Sequence, residues 1–269
     1  MHPAHICVTC GVEHAPAPQP PAHCAICEDE RQYVGLGGQK WTTLAAMRGT
    51  HHNVFIQEGV ADKQAIWGIV TEPKFAIGQR ALLIPTPSGN VLWDCVTLID
   101  PDTIALVKAL GGVSAIAVSH PHYYSSMVEW SQTFNAPIYI HENDRQWVQR
   151  TDASIHFWSG ETHSFSDGAN LIRIGGHFPG FQCLHSGSAL FTGDLPQVCP
   201  DRRWVSFMYS YPNYLPLSAP SVKRIAAVLE PFDYDQLYGA WPGFVIKTGA
   251  KEALRRSAER YLRELETSR

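Results

Sequence analysis

A fully apolar segment, VSAIAVSH, ends on His120, and a second histidine follows two positions later as His122. In an extended segment, residues at positions i and i+2 project to the same side, so both imidazoles can reach one ion. Pro121 favours this geometry, because the residue before a proline is restricted to extended conformations. We therefore predict that a strand ends here and that His120 and His122 form a pair of metal ligands.

Two later segments supply further ligand types. The segment GGHFPG places His177 in a turn between two predicted strands, where small neighbours let the backbone approach an ion. The segment SALFTGDL ends a strand on Asp194. Three histidines and one carboxylate suit a tetrahedral zinc site with room for water, and such a set also accepts iron. The alternative is that these are ordinary polar residues at strand ends.

In their order and strand contexts, four motifs resemble those of the metallo-β-lactamase superfamily over roughly residues 50 to 245: SHPHYYS, GGHFPG, FTGD and YGAWPG. The resemblance implies an α/β fold of the αββα sandwich type, with His120, His122, His177 and Asp194 as metal ligands. It agrees with the predicted elements. Short apolar runs from about residue 53 predict strands: NVFIQ, AIWGIVT, ALLIPT and NVLWDC. The segment PDTIALVKALGG predicts a helix that Asp100 caps and Pro101 begins, and strands and helices then alternate, with NDRQWVQR as a further helix.

The chain departs from the family pattern at the positions that build a second metal site. Tyr124 and Ser125 stand where the first family motif has Asp and His, and Trp241 stands near the position of the last metal histidine. An indole has no lone pair for a metal, and Ser and neutral Tyr are poor zinc ligands. We therefore expect a single metal ion in this cleft, with Asp194 as its fourth ligand or as a nearby base.

One metal ion is sufficient for hydrolytic chemistry, because zinc alone can lower the pKa of bound water to about 7. Asp194 is the candidate for proton transfer, and Tyr123 or Tyr124 is the candidate for stabilising an oxyanion or protonating a leaving group. The predicted function is hydrolysis of a small ester, lactone, lactam or thioester. Two alternatives remain: a non-catalytic metal-binding module that senses or scaffolds, and an iron-dependent oxidoreductase or oxygenase.

Four cysteines near the N-terminus form two Cys-x-x-Cys pairs, which are separated by thirteen residues: Cys7, Cys10, Cys24 and Cys27. This spacing resembles that of zinc ribbons. The Pro-rich connection has little apolar surface to bury, so a metal must supply the missing free energy of folding. We predict a structural zinc cage, with iron or redox activity as the alternative. The expected division is a zinc-ribbon-like segment over residues 1–40 and a metallo-β-lactamase-like domain over residues 41–269.

Composition limits the partners. The 269 residues carry a net charge of -4, and Lys and Arg are nearly absent from residues 1–35. A general nucleic-acid binder needs clustered Lys and Arg to neutralise phosphates, so we expect no nucleic-acid partner. No apolar run reaches the roughly 18 residues of a membrane span, and the first residues lack the features of a signal peptide. We therefore expect no membrane association and a cytoplasmic location.

The segment RRWVSFMYSYPNYLPL, which follows Asp194, is rich in aromatic residues. In the resembling fold the corresponding connection runs near the metal cleft, so this segment favours a small-molecule substrate that is aromatic or apolar. The alternative is that these side chains pack the edge of the sandwich. Arg202 or Arg203 is a candidate partner for a substrate carboxylate.

Overall fold

The N-terminal cysteine segment is tied to the rest of the chain by a short pair of strands. This computed structural model describes residues 2–61, 63–166 and 168–267. Strand β1 (Ile6–Cys7) pairs antiparallel with β2 (Trp41–Thr42), and the short helix α1 (Leu44–Met47) follows. This pairing crosses the expected domain boundary at residue 40. The division into two domains stays a prediction.

The apolar runs predicted as strands form a seven-stranded sheet. Its strands, in chain order and also in sheet order, are β3 (His52–Ala61), β4 (Gln64–Glu72), β5 (Ala81–Thr86), β6 (Gly89–Trp93), β7 (Ala115–Ala117), β8 (Ile138–His141) and β9 (Ile155–Trp158). Strands β3 to β6 are antiparallel to one another, and β6 to β9 are parallel. The parallel half requires crossover connections, and helices provide two of them.

Helix α2 (Pro101–Ala109) connects β6 to β7, and α3 (Met127–Phe134) connects β7 to β8. The predicted start of α2 is confirmed: the Asp100 side chain accepts a hydrogen bond from the N–H of Thr103 at 2.8 Å, and Pro101 occupies the first turn. The segment NDRQWVQR, expected to be a helix, instead overlaps a 3-10 helix that begins one residue before it and covers Glu142–Trp147.

The second sheet has six strands. In sheet order they are β10 (Thr162–Ser166), β11 (Ala169–Arg173), β12 (Gln182–Ser186), β13 (Ala189–Gly193), β18 (Gln236–Gly239) and β19 (Val245–Ile246). Strands β13 and β18 are parallel, and α4 (Ala219–Leu229) lies on the connection between them. Helix α5 (Ala250–Thr267) follows the last strand. Two small antiparallel pairs precede α4: β14 (Gln197–Val198) with β15 (Val205–Ser206), and β16 (Met208–Ser210) with β17 (Leu215–Pro216).

Three clusters of buried apolar side chains define the layers. Trp93 of the first sheet and Phe191 of the second belong to the cluster between the sheets. Another cluster joins the first sheet to α2 and α3 and includes all four N-terminal cysteines. The third joins the second sheet to α4 and α5. The predicted α/β class, with an αββα sandwich and an N-terminal four-cysteine segment, is confirmed. No helix in the described ranges is both long enough and apolar enough to cross a membrane.

Candidate functional site

The two histidines after β7 are brought together by a helical turn. His120 is extended, with φ -168° and ψ 172°, but Pro121–Tyr123 forms a 3-10 helix that contains His122. The prediction of an extended strand end was therefore wrong for His122. Proline suits the first position of a helix, because its φ is already near the helical value and its missing N–H would have no partner there. The two imidazole centroids lie 5.0 Å apart.

Glycines shape the backbone at the other two candidate ligands. His177 follows Gly175 and Gly176, which both have positive φ, of 67° and 87°. Asp194 comes directly after β13, whose last residue, Gly193, has φ 59°. A Cβ at Gly193 would lie 2.7 Å from Oγ of Ser119, so only glycine lets the end of this strand approach the histidine loop.

The structure brings the four predicted ligands together: His120, His122, His177 and Asp194. One ligand atom from each lies within 4.8 Å of the others, and each residue is at most 4% exposed. Nδ1 of His122 lies 3.2 Å from Nε2 of His177, and Nε2 of His120 lies 3.6 Å from Oδ1 of Asp194. Bonds of 2.0–2.1 Å to a tetrahedral zinc ion place ligand atoms about 3.3 Å apart. The donor set therefore fits one such ion.

Atoms without partners also indicate a metal site. Nε2 of His120 and Oδ1 of Asp194 are buried, and neither has a hydrogen-bond partner among the described residues. Leaving such atoms unpaired costs about 1–3 kcal/mol each, and a bound cation would remove that cost. In two of the histidines the other ring nitrogen is used for orientation: Nδ1 of His177 donates to the carbonyl of Tyr209, and Nδ1 of His120 lies 2.9 Å from Oγ of Ser119. Such contacts turn the free nitrogens towards the cluster.

Electrostatics keep the histidines ready to bind a cation. Burial is the main cause that lowers the pKa of His120 and His122 well below the usual range and that of His177 to about 3. All three are neutral at pH 7, which is the form that binds metals. Burial raises the pKa of Asp194 to about 7, against the opposite effect of the Tyr123 hydroxyl. A cation at the cluster would favour the ionised carboxylate.

The two candidate tyrosines lie in different surroundings. The Tyr123 ring packs against His120 with centroids 4.4 Å apart, and its buried hydroxyl lies beside the Asp194 carboxylate without an ideal hydrogen bond to any described group. The Tyr124 hydroxyl instead donates to the carbonyl of Asp144 at 3.4 Å. The structure therefore brings Tyr123 to the cluster but does not bring Tyr124 there.

The residues that replace the ligands of the family's second metal site make ordinary structural contacts. Oγ of Ser125 donates to the carbonyl of Cys95 at 2.9 Å and accepts from Nε2 of Gln79 at 3.0 Å. Trp241 lines the cavity over the ligand cluster, and its indole N–H points to the carbonyl of Ile77 at 3.5 Å. None of these groups offers a carboxylate or an imidazole to a second ion.

A cavity of about 70 Å³ opens onto the cluster, and its wall contains residues that the sequence analysis missed. His122, His177 and Asp194 lie at one side, and Arg31 and Gln32 of the cysteine segment form part of the rest. The sequence did contain a feature that could have pointed to Arg31 as a site residue: it is the only Lys or Arg in residues 1–35, and it follows the second cysteine pair closely. Small-molecule sites usually measure about 300–1,000 Å³, so this cavity admits only a small group.

The aromatic segment after Asp194 has both of the expected roles: some of its side chains line the cavity, and others pack in the core. Tyr211 and Pro212 line the cavity, and the Tyr211 hydroxyl donates to the Asp194 carbonyl at 2.9 Å. Phe207 is buried in the core of the second sheet. Neither arginine lines the cavity: Arg202 donates to the carbonyl of Gly243, and Arg203 pairs with Asp201.

The four N-terminal cysteines also converge. Sγ of Cys7 lies 3.5 Å from Sγ of Cys27, and Sγ of Cys10 lies 3.7 Å from Sγ of Cys24. All four are free thiols and at most 1% exposed. Zinc–sulfur bonds of 2.3 Å in a tetrahedron place the sulfurs about 3.8 Å apart, so this set fits a metal ion as well. Four protein ligands leave no open coordination position, which indicates a structural role.

Comparisons with solved structures identify the fold. DIM-1 metallo-beta-lactamase matches with a TM-score of 0.58 and 15% identity, over 78% of this chain and 100% of that one. The chemotaxis sensor ODP, solved as a peroxy diiron species, matches with a TM-score of 0.55 and 18% identity, over 77% and 94%. A flavo di-iron protein from Thermotoga maritima matches with a TM-score of 0.53 and 15% identity, over 76% and 62%.

No protein-family model matches the chain. A full-length relative does: the uncharacterized protein YmaE of Bacillus subtilis (strain 168) is 51% identical over 271 residues, which cover 98% of this chain and 97% of that protein. Together with the two clusters of candidate metal ligands, these comparisons establish the relationship. The chain belongs to the same family as YmaE of Bacillus subtilis, and its fold is that of the metallo-β-lactamase superfamily.

Proposed function

We propose that this protein is a metal-dependent hydrolase that cleaves a small ester, lactone, lactam or thioester. The observation that carries the proposal is the convergence of three neutral, buried imidazoles and one carboxylate at the edge of a cavity: His120, His122, His177 and Asp194. We infer zinc as the metal, because three His with one carboxylate at tetrahedral spacing suit it. Iron is the alternative, since it suits the same donors.

A single metal ion is proposed for the cleft. Tyr124 donates to a main-chain carbonyl and Ser125 is held in a hydrogen-bonded pair with Gln79, so neither is free to bind an ion. Trp241 lies in the cavity wall and has no lone pair to donate.

In the proposed hydrolysis, Asp194 and Tyr123 have different roles. A zinc ion held by these residues would polarise a carbonyl and lower the pKa of bound water. With the three imidazoles as its ligands, the ion would keep one position open for water. Asp194, beside that position, would take the proton from the attacking water and return it to the leaving oxygen, nitrogen or sulfur as the acyl bond breaks. The Tyr123 hydroxyl lies beside the Asp194 carboxylate, and Tyr123 is not among the residues that line the cavity, so its role would be to orient this carboxylate.

The cavity selects a small substrate. Its wall is largely apolar, with Ile77 and Trp241 as contributors, and the side chain of Gln32 is the uncharged polar amide in it. Gln32 is 5% exposed, and its Oε1 has no hydrogen-bond partner among the described residues. A substrate N–H or O–H next to the scissile carbonyl would satisfy that oxygen.

The proposed partner is therefore a small molecule with an apolar body. The sparse Lys and Arg of the chain argue against nucleic acid. A cytoplasmic location is proposed as well, because all seven cysteines are free, which is typical of a reducing compartment.

A non-catalytic role is the second candidate, favoured by the small cavity. A sensing or scaffolding module needs the metal site but no room for a substrate, and about 70 Å³ is little room. An iron-dependent oxidoreductase or oxygenase, with iron in the same ligand set, is a separate alternative.

The test is turnover of a panel of chromogenic esters, thioesters, lactones and lactams by zinc-loaded protein. We expect at least one class to be hydrolysed, with loss of the activity in chelator and its return on adding zinc. The matched control is a His120→Ala, His122→Ala double variant, which keeps the cysteine cage and should be inactive. A wild-type protein that carries metal in the cleft and hydrolyses no member of the panel would support the non-catalytic role instead.

A further inference from the structure

Arg31 joins the cysteine segment to the metal-ligand cluster of the cleft. It is 8% exposed, and its Nη1 donates a hydrogen bond to the carbonyl of His177 at 3.0 Å, across 146 positions of the chain. Its guanidinium carbon lies 3.9 Å from the ring centroid of Phe178. Arg31 thus contacts a candidate metal ligand and the residue that follows it.

Two further donors of this guanidinium are bound by Asp29. Nε of Arg31 donates to Oδ1 of Asp29 at 2.5 Å, and Nη2 donates to Oδ2 at 2.8 Å. Such a bidentate pair fixes the plane of the guanidinium and neutralises its charge, so that a cation can be bound nearby. Asp29 is two residues after Cys27, the last cysteine of the cage.

The backbone of this segment is attached to β16, the strand that orients His177, and to the turn that follows it. Oγ of Ser210 donates to the carbonyl of Arg31 at 3.1 Å, and Nδ2 of Asn213 donates to the carbonyl of Glu30 at 2.9 Å. The neighbouring Tyr209 carbonyl accepts from Nδ1 of His177. His177 is therefore held through its ring by β16 and through its carbonyl by Arg31.

We propose that Arg31 is a positioning residue for His177 and that metal in the cysteine cage keeps it in place, so that the cleft binds its metal tightly only when the cage is filled. The second cysteine pair ends four residues before Arg31, and a tight turn closes it, with the N–H groups of Cys27 and Glu28 both donating to the carbonyl of Cys24 at 3.0 Å. Metal ligation folds such turns, so the position of Asp29 and Arg31 follows from it.

The inference rests on the metal site of the proposed function but not on hydrolysis, and its test measures metal affinity. Cobalt(II) is titrated into metal-free protein, since thiolate ligands give a charge-transfer band that imidazole and carboxylate ligands lack, and this separates cage from cleft. We expect Arg31→Met to weaken cobalt binding at the cleft about 10- to 100-fold, the usual effect of removing a group that orients a metal ligand. Arg31→Lys should restore only part of it, because Lys cannot pair bidentately with Asp29.

A matched control separates this role from general docking of the segment. Arg150 also ties the segment to the body, through ion pairs with Glu13 and Glu129, and neither of these partners belongs to the ligand cluster. Arg150→Met should leave cleft affinity within about twofold. Cys24→Ser should weaken the cleft as much as Arg31→Met does, and the double variant no further, because both act through one contact.

Three outcomes decide the matter. Unchanged cleft affinity in Arg31→Met, or an equal loss in Arg150→Met, would overturn the inference and leave the metal site intact. If the wild-type protein shows no cobalt binding outside the cage, both the inference and the proposed cleft metal fail. Should Arg31→Met fail to fold by circular dichroism, Asp29→Asn replaces it, since that change loosens the guanidinium while keeping its charge and bulk; unchanged affinity there overturns the inference equally.

Discussion

Nδ1 of His122 and Nε2 of His177 lie 3.2 Å apart in a cluster that solvent barely reaches. Burial lowers the pKa of both imidazoles, so at pH 7 both are neutral. Since Nδ1 of His177 donates to the Tyr209 carbonyl, its Nε2 carries the lone pair and faces inwards. The separation matches the edge of a zinc tetrahedron, which makes metal content the first quantity to measure.

Elemental analysis should find two metal ions per chain, one for each ligand cluster. A His122→Ala, His177→Ala variant should hold one, because the cysteine cage remains complete. Conversely, mild chelation should strip the cleft first, since the cage presents four buried thiolates with no open position. Equal metal content in wild type and variant would mean that the histidine cluster does not bind an ion under these conditions.

Substitution by Phe should have different effects at Tyr123 and at Tyr124. Tyr123→Phe removes the hydroxyl beside Asp194 while keeping the ring against His120, and we expect kcat to fall about 10- to 100-fold, at or just below the range for losing a group that assists proton transfer. Tyr124→Phe removes only a long hydrogen bond to a carbonyl and should leave kcat within about twofold. Steady-state kinetics on the best panel substrate measure both, and a larger effect of Tyr124→Phe would contradict the assignment.

Gln32 should affect substrate binding more than the chemical step. Gln32→Met keeps the length of the side chain and removes its hydrogen bond, so KM should rise about 5- to 10-fold with a small change in kcat. Gln132→Met, at an exposed position on α3, is the control and should change neither constant. A kcat loss at constant KM in Gln32→Met would instead place this residue in the chemistry.

Stability should depend on pH through Glu13. Burial raises the pKa of Glu13 from 4.5 to about 7, although the guanidinium of Arg150 acts in the opposite direction and Glu129 shares that guanidinium. The folded state then binds the proton more tightly than the unfolded state, so this contribution to stability is complete below pH 4.5 and is lost as the pH rises through 7. The loss approaches about 1.4 kcal/mol per pH unit between these values.

The comparison that tests this uses Glu13→Gln, which removes the titrating group but keeps its shape. The free energy of unfolding, measured in urea between pH 4.5 and 7.5, should fall less steeply with pH in the variant than in the wild type. Parallel profiles in the two proteins would show that Glu13 titrates normally in the folded state.

Much of the fold followed from local patterns. Alternating turn signals and apolar runs were enough to place β3 to β6, and the Asp100–Pro101 pair marked the start of α2, because capping and turn chemistry act over three or four residues. Strands β9 and β10 were not predicted, since IHFW and THSFS are short and carry no strong periodicity. Their membership of the sheets depends on neighbours that are distant in sequence.

For the candidate site too, some features followed from local sequence and others only from the tertiary structure. The sequence by itself determined which residue types could bind metal, because His120, His122, His177, Asp194 and the four N-terminal cysteines sit in short motifs whose spacing is local. Only the tertiary structure decided that a 3-10 turn orients His122 and that Arg31 meets His177 across 146 positions. Contacts of that separation arise from packing the cysteine segment against the sandwich, and no periodicity or spacing along the chain encodes them.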